Sequence, residues 1–467
     1  MNILKKILPF VFVIIFSFWA VRPLLDSGFF PIHDDTQTAR VFEMKKSLLD
    51  GQFPVRWVSD LGYGYGYPIF NFYAPLAYYI GGLINILGFG ALVSTKIMMS
   101  LGIIISGIFM YMLASILFGK AAGITSALFY VYAPFHALDI YVRGDVAEFW
   151  AYAFVPLIFY GLIKIYNEQK WGHVIVGSLG YAGLILSHNL TAMMVTPFIL
   201  FFVLIYSSIS FINKKSVSIY YMLLTVILGL LLSAFYWIPA IFEMKYTNIL
   251  SQIGGGADFR DHFVCINQFW QSQWGFGGSA PGCIDGLSFM IGKSHLLISL
   301  LGLLGLIWLL LKSKAEINKY RSETSIAVFT TIGMISAIFL MLEISKFIWE
   351  SIPLMAFFQY PWRFLLLASF FSSVFAGFFI WFLKNRIKNA GSFLAILAVV
   401  IISLIYFNVK FFDSQVVEFK TDKDYTNLNT LRWKISKISD EYMPKYFNKP
   451  RNENNVPNKI IEINENQ

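Results

Sequence analysis

Long apolar runs constrain this chain more than any other feature. A helix needs about 20 apolar residues to cross a bilayer, and runs of roughly this length recur along the sequence. The candidate spans are residues 7–25, 94–117, 121–139, 148–166, 173–187, 189–208, 217–238, 294–312, 325–342, 362–383 and 391–409. Only 13% of the residues are charged, against about 25% in soluble domains. The sequence therefore predicts an all-α polytopic membrane protein with about eleven transmembrane helices.

The basic residues indicate how these spans are oriented. The net charge is +9, but Lys and Arg fall in short clusters between apolar runs, which is typical of cytoplasmic loops. We therefore expect no nucleic-acid partner. The clusters are Lys5 and Lys6; Lys120; Lys164 and Lys170; Lys214 and Lys215; Lys312, Lys314, Lys319 and Arg321; and Lys384, Arg386 and Lys388. All of these clusters lie on the same side of the membrane only if the apolar segment 74–92 does not cross it.

That segment contains Pro75 and four glycines, so we predict a re-entrant or interfacial helix pair. The prediction places the N-terminus in the cytoplasm and the C-terminus outside, in a multi-pass protein of the cytoplasmic membrane. The first apolar run is predicted to be retained as a span, because Phe18 and Trp19 precede Ala20 where a signal peptide would have a small-residue cleavage site.

Two regions follow from this topology. Residues 1–409 form the membrane domain, which includes a first outer loop at 26–93 with juxtamembrane helices and a large outer loop at 239–293. Residues 410–467 form a short extracytoplasmic tail that contains a strand-like segment at 459–463.

Polar and aromatic residues collect on the predicted outer face. They are His33, Asp34, Asp35, Trp57, Tyr65, Tyr67, Tyr73, Arg143, Glu148, His188 and Arg363. Each has a structural alternative: an Asp could cap the helix that starts near Thr36, Arg143 and Glu148 could form an interfacial ion pair, and His188 could be a satisfied polar residue. The tyrosines could form an ordinary aromatic belt.

Taken together, these residue types favour a catalytic site over the separate structural roles. A guanidinium offers a planar fork to a phosphate, a carboxylate can accept a proton from a hydroxyl, and aromatic faces stack on sugar rings. The set suits group transfer from a lipid phosphate to an acceptor outside the membrane. The sequence has no GxxxxGK[ST], HExxH, GxSxG or paired CxxC motif.

Several motifs carry a family resemblance. They are His33-Asp34, Arg40, Gly51 with Pro54-Val-Arg-Trp57, Gly64 to Tyr73, Arg143-Gly, Ala147-Glu148, Ser187-His-Asn189, Tyr360-Pro-Trp-Arg363 and Glu441-Tyr-Met-Pro444. The chain resembles the C-type (GT-C) superfamily of polytopic glycosyltransferases. Within it, the chain is most similar to the bacterial and archaeal membrane family labelled "6-pyruvoyl-tetrahydropterin synthase-related". The label does not describe the chemistry, since the chain offers no three-histidine zinc cluster.

The resemblance implies a GT-C-like bundle, a polyprenyl-phosphate sugar donor and a catalytic acid in the first outer loop. By analogy Asp34 takes the catalytic position, with Asp35 beside it. The implied donor and phosphate site contains Arg143, Glu148, His188 and Arg363, and the sugar or acceptor cleft contains His33, Trp57, Tyr65, Tyr67 and Tyr73. Some relatives use a divalent metal, and the adjacent Asp residues leave that open. Family members often continue into an outer β-rich domain, of which the tail could be a truncated form.

Three functions remain in competition. The first is an inverting glycosyltransferase that passes a sugar from the lipid-linked donor to an envelope glycan, lipid or protein. The second is a lipid or polysaccharide transporter, and the third is a non-catalytic envelope assembly protein. Transporters tend to place ionisable residues near the middle of the membrane. Here the charges lie mainly at span ends, which favours the enzyme.

The two cysteines add a separate prediction. Cys265 and Cys283 are the only ones in the chain, and both fall in the large outer loop. Because the compartment outside a cytoplasmic membrane is often oxidising, we predict a disulfide that clamps this loop over the cleft. The alternative is a pair of free thiols.

Overall fold

The computed structural model describes residues 2–212 and 216–456. Within that part of the chain, nine helices are long and apolar enough to cross a membrane. They are Lys6–Leu25, Ala91–Phe118, Lys120–Arg143, Val146–Glu168, Asn189–Ile212, Lys293–Leu310, Arg321–Met341, Pro361–Arg386 and Ala390–Phe411. The protein is therefore a multi-pass, all-α membrane protein, as the apolar runs predict.

Two predicted spans differ from straight, full-length helices. The run at 173–187 forms the helix Trp171–Ser187, which has 17 residues and is short for a span. The run at 217–238 forms Ser216–Leu232 and Ala234–Tyr246, which meet at an angle of 64°. Ser233 lies at the bend, where its hydroxyl donates to the carbonyl of Gly229 at 2.9 Å. Such back-bonding bends helices, and apolar length alone does not reveal it. Lys214 and Lys215 lie outside the described residues.

Shorter helices lie between the spans. They are Gln37–Leu49, Ile69–Phe72, Leu76–Ile86, Lys314–Lys319, Lys346–Ser351, Asp422–Thr426 and Ser436–Ile438, with a π-helical turn at Thr430–Ile435; a second π-helical turn, Asp139–Arg143, ends the span Lys120–Arg143. Among the described residues, β-pairing is limited to isolated bridges, such as Phe29 with Glu418.

The first long loop begins and ends on the same side of the bundle. Near its start Phe29 pairs with Glu418, and at its end the N–H of Leu92 donates to Asp422 at 2.9 Å. Both partners belong to one short tail segment. The helix Leu76–Ile86, with 11 residues, therefore does not cross the bundle, in agreement with the prediction for 74–92. We call this side, where residues 26–92, 239–292 and 412–456 meet, the loop end.

The helix Gln37–Leu49 follows the predicted amphipathic stretch. Its N-cap is Thr36, which makes no side-chain capping bond, and the chain leaves the helix at Gly51 with a φ of 82°. Left-handed backbone of this kind favours glycine. Neither Asp34 nor Asp35 occupies the N-cap position, so the capping alternative does not account for them.

A pair of stacked tyrosines joins two proline-containing spans. Pro134 and Pro156 have no N–H, which leaves the carbonyls four residues earlier, of Tyr130 and Tyr152, without their helical donors. The Tyr130 hydroxyl donates to the Tyr152 carbonyl at 2.6 Å, and the Tyr152 hydroxyl donates to the Tyr130 carbonyl at 2.8 Å. The rings stack with centroids 3.8 Å apart. This reciprocal pairing joins the helix before the turn at 139–146 to the helix after it.

The tail packs against the first loop. The N–H of Tyr63 donates to Ser436 at 3.1 Å, and that of Tyr442 donates to the hydroxyl of Tyr67 at 3.2 Å. Between residues 410 and 456 the tail consists of short helices, irregular backbone and isolated bridges. The predicted β-rich character is therefore not found in this part, and the strand-like segment 459–463 lies outside the described residues.

Candidate active site

Arg143 is surrounded by three carboxylates at the end of its span. It forms ion pairs with Asp139, with Asp145 at 2.9 Å and with Glu148 at 2.7 Å. All four residues are buried, and Glu148 is fully so. Buried carboxylates are costly unless they are paired and hydrogen-bonded. The predicted pairing of Arg143 with Glu148 is thus present, but it belongs to a larger group, which we call the Arg143 cluster.

Arg363 completes the cluster from another helix. Its Nε lies 3.7 Å from Oε2 of Glu148, the oxygen that also pairs with Arg143. Arg363 is only 7% exposed, yet its Nε and Nη1 have no hydrogen-bond partner among the described residues. Leaving buried donors unpaired costs about 1–3 kcal/mol, more for charged groups. An anionic ligand would supply the missing acceptors, whereas the donors of Arg143 are already engaged by carboxylates.

His188 lies beside these charges in the break between two helices. Its Nδ1 lies 2.7 Å from the hydroxyl of Thr191 and accepts from the N–H of Thr191 at 3.3 Å, and the second contact favours the neutral form with its proton on Nε2. Burial lowers the pKa of His188, while Asp145 and Glu148 act in the opposite direction. His188 is therefore a neutral donor next to the Arg143 cluster.

Asp34 is attached to the cluster through its main chain. Its N–H donates to the carbonyl of Arg143 at 3.0 Å, and its side chain is partly exposed. Burial raises the pKa of Asp34 to about 6, with a further contribution from Asp145, while Arg40 and Arg143 lower it. A carboxylate with this pKa is largely ionised at neutral pH and can still accept a proton.

Asp35 has different surroundings, which corrects the prediction that it shares the catalytic position. Its side chain interacts with Tyr425 and Lys420 of the tail rather than with the Arg143 cluster. Burial raises the pKa of Asp35 to about 6, and the hydrogen bond from Tyr425 lowers it. Adjacent side chains in this irregular segment point to different sides, so only Asp34 faces the arginines.

Arg40 forms a second cationic centre next to Asp34. Its guanidinium carbon lies 4.3 Å from the centre of the Tyr73 ring, and it donates to the hydroxyls of Tyr78 at 3.3 Å and Ser439 at 3.1 Å. Ser439 in turn donates to Glu441 at 3.1 Å. The tail thus supplies a carboxylate, Glu441, near Arg40.

The predicted aromatic cleft is not a single surface, which corrects that prediction. Tyr67 is fully buried and cannot stack on a sugar. Tyr65 is 56% exposed, but its ring packs on Phe447, 5.6 Å away, and the half-exposed Trp57 packs over Gly66. Of the four rings only Tyr73 belongs to the site, because its hydroxyl donates to Asp145 at 3.5 Å.

A disulfide loop contacts His33, the remaining residue of the predicted cleft. Cys265 and Cys283 form a disulfide with their Cα atoms 5.5 Å apart, and we call residues 266–282 the disulfide loop. Phe276 of this loop contacts the exposed ring of His33 at 4.6 Å. Burial, followed by Arg143, lowers the pKa of His33.

The disulfide loop also reaches the arginines. The hydroxyl of Ser279 accepts from the indole N–H of Trp362 at 3.2 Å. The Trp362 ring lies 4.8 Å from the guanidinium carbon of Arg143. The loop therefore lies against both the first loop and the Arg143 cluster.

Sequence reasoning did not assign Asp139, Asp145, Arg40, Glu441 or Trp362 to the site. Asp139 precedes Arg143 by four residues, a spacing that places two side chains on one helix face and could have identified it. The remaining four stood in the quoted motifs or beside them, without a role. No group of three or more His, Cys, Asp or Glu side chains in residues 2–212 and 216–456 is arranged to hold a metal ion.

Comparison with solved structures shows the class of fold. The oligosaccharyltransferase of Archaeoglobus fulgidus in the apo form superposes with a TM-score of 0.56 at 13% identity, over 99% of this chain and 62% of that enzyme. The same archaeal enzyme, AglB, in complex with an inhibitory peptide and a dolichol-phosphate gives 0.55 at 14% identity. The chain therefore has a membrane glycosyltransferase fold of the GT-C type.

The family follows from the sequence match. Residues 70–412 match the family described as "6-pyruvoyl-tetrahydropterin synthase related domain; membrane protein", and the chain belongs to that family, as its motifs predict. An uncharacterized protein of Lactococcus lactis subsp. cremoris (strain MG1363) is 27% identical over 245 residues, which are 50% of this chain and 39% of that protein. This chain therefore spans less than two thirds of the length of the Archaeoglobus fulgidus enzyme and of the Lactococcus lactis protein.

Proposed function

We propose that the protein is an inverting glycosyltransferase that takes its sugar from a polyprenyl-phosphate donor. The observation that carries the proposal is that two groups adjoin the Arg143 cluster: Asp34, a carboxylate whose pKa is raised to about 6, and Arg363, whose buried Nε and Nη1 have no hydrogen-bond partner among the described residues. A base and an oxyanion site at one point are what sugar transfer from a phosphate requires.

Each residue has one part in the reaction. The acceptor hydroxyl oxygen forms a bond to the anomeric carbon, and its proton moves to the carboxylate of Asp34. The bond from that carbon to the phosphate oxygen breaks, and polyprenyl phosphate leaves with the electron pair. Arg363 and the Nε2–H of His188 hold the departing phosphate, and Arg143 keeps Glu148 and Asp145 in place.

The depth of the site supports a donor that lies in the membrane. Asp34 follows the span Lys6–Leu25 by nine residues, and Arg143 is the last residue of its own span. Both groups are therefore placed at the level where a lipid phosphate meets water. We propose that this loop end faces the outside of the cytoplasmic membrane, because the described basic residues at the opposite end, such as Lys120, Lys164 and Lys384, lie at the connections between spans.

The test uses purified protein with labelled polyprenyl-phosphate sugars and measures release of polyprenyl phosphate. We expect release by the wild type and a loss of about 10²–10⁴ in Asp34→Asn. Asp35→Asn is the matched control, since it makes the same change one residue away from the site, and it should retain activity.

The outcomes separate the competing functions. Equal activity in Asp34→Asn and the wild type would overturn Asp34 as the base. No release by the wild type from any donor in the panel would reject the transferase and leave the transporter or the assembly protein.

A further inference from the structure

An apolar groove lies between the first, third and last spans, apart from the Arg143 cluster. Its volume is about 270 Å³. Its lining includes Phe16, Trp19, Leu128, Tyr132, Leu404 and Val409. A pocket that encloses a whole small ligand has about 300–1,000 Å³, so this groove can hold a segment of chain but not a headgroup as well.

The groove lies in the half of the bundle nearest the loop end. Trp19 is near the end of Lys6–Leu25 and Val409 near the end of Ala390–Phe411, and both helices finish at the loop end. Only 11% of the most apolar window of Ala390–Phe411 is buried. This helix therefore faces lipid along most of its length, and the groove opens onto acyl chains.

Two exposed cations stand where the groove meets water. Arg22 follows Trp19 by three residues, and Lys410 follows Val409 directly. Arg22 pairs with Asp413 at 3.3 Å, but the two side chains are 53% and 59% exposed, and exposed pairs of this kind contribute little to stability. Arg22 can therefore turn to another anion at little cost. Basic residues at a membrane surface attract anionic lipids.

We propose that the groove binds one acyl chain of an anionic phospholipid, with the phosphate of its headgroup between Arg22 and Lys410. This lipid is distinct from the donor, because no residue that lines the groove belongs to the Arg143 cluster. The proposal does not depend on the proposed transferase activity.

The contacts above the groove indicate what the lipid does. Tyr132 packs edge-on to Phe412 with ring centroids 5.2 Å apart, and the neighbouring Phe411 packs on Trp274 of the disulfide loop at 4.7 Å. A chain in the groove supports the end of the last span, on which the disulfide loop rests.

The experiment measures lipid retention by native mass spectrometry of protein from nanodiscs of phosphatidylglycerol and phosphatidylcholine. We expect one phosphatidylglycerol per wild-type chain. Ile405→Trp, which fills the groove lined by Ile405, should retain at least tenfold less. Ile402→Trp is the matched control, because Ile402 lies on the same helix but is 64% exposed, and it should retain the lipid.

Further arms test the headgroup and the occupant. The double variant Arg22→Gln with Lys410→Gln should lose the preference for phosphatidylglycerol over phosphatidylcholine. If Ile405→Trp does not fold, Leu128→Phe fills the groove from the opposite wall. Equal retention by the filled and control variants, or equal binding of the two phospholipids by the wild type, would overturn the proposal. Displacement by added polyprenyl phosphate would also overturn it by assigning the groove to the carrier lipid.

Discussion

The main-chain N–H of Asp34 donates to the main-chain carbonyl of Arg143 at 3.0 Å. The preceding N–H, of His33, donates to Val142 at 3.1 Å, so the first loop runs along the end of the third span. Because these bonds involve only the backbone, they place the Asp34 carboxylate beside the Arg143 cluster whatever its ionisation. A change of the side chain at this position therefore tests chemistry with little effect on the fold.

The first prediction concerns pH. Burial raises the pKa of Asp34 to about 6, and a base must be ionised to act, so kcat/KM should fall about tenfold per pH unit below that value. Arg40→Gln should move the profile to higher pH, because Arg40 lowers the pKa of Asp34. Asp35→Asn should leave the profile unchanged. If Asp35→Asn abolished the pH dependence of kcat/KM, the titrating group would be Asp35 and not Asp34.

The second prediction concerns donor binding by Arg363. Its Nε and Nη1, which have no hydrogen-bond partner among the described residues, can each donate to a phosphate oxygen, whereas the ammonium of Lys is a single point charge. Arg363→Lys should weaken binding of polyprenyl phosphate, measured by titration, by about tenfold, or 1.4 kcal/mol. Arg260→Lys is the control, since Arg260 is an exposed residue of the large loop. Unchanged affinity in Arg363→Lys would show that the phosphate lies elsewhere.

The third prediction concerns the tyrosine pair. Tyr130→Phe removes the donor to the Tyr152 carbonyl and should lower the free energy of unfolding by about 1 kcal/mol, since such bonds in membrane proteins contribute about 0.6–2 kcal/mol. In a Pro156→Ala background the N–H of residue 156 can bond that carbonyl, so the same change should cost less. Additive effects of the two changes in a denaturation assay would contradict this account.

The fourth prediction concerns the cysteines. Mass spectrometry of unreduced protein should find Cys265 and Cys283 joined. Closing a loop of 18 residues stabilises it by roughly 3 kcal/mol in the chain-entropy model. Cys265→Ser with Cys283→Ser should therefore increase proteolysis of the disulfide loop and spare the helices. Two free, alkylatable thiols in the native protein would refute the prediction.

The fifth prediction concerns topology. A single cysteine at position 120, in a background without Cys265 and Cys283, should resist a membrane-impermeant thiol reagent applied to intact cells. A cysteine at position 65 should react, because Tyr65 is 56% exposed at the loop end. Labelling at position 120 from outside would reverse the proposed orientation.

Hydropathy and charge predicted the fold because both are local properties of the sequence. A run of about 20 apolar residues must form a helix in a bilayer, where every backbone polar group needs an internal partner. The same reasoning placed 74–92 at one end, since Lys and Arg clusters sort by side. The motifs shared with the family identified Asp34, Arg143 and Arg363 as candidate site residues.

What each side chain faces was decided by the tertiary structure alone. Asp34 and Asp35 are chemically identical neighbours, and only the backbone bond to Arg143 turns one of them toward the cluster. Tyr67 and Tyr65 share a repeating motif, yet one is buried under the tail and the other is exposed. These differences arise from contacts between segments more than a hundred residues apart. A sequence pattern therefore determined which helices this chain forms and where its charges gather, while packing determined which of those charges can act.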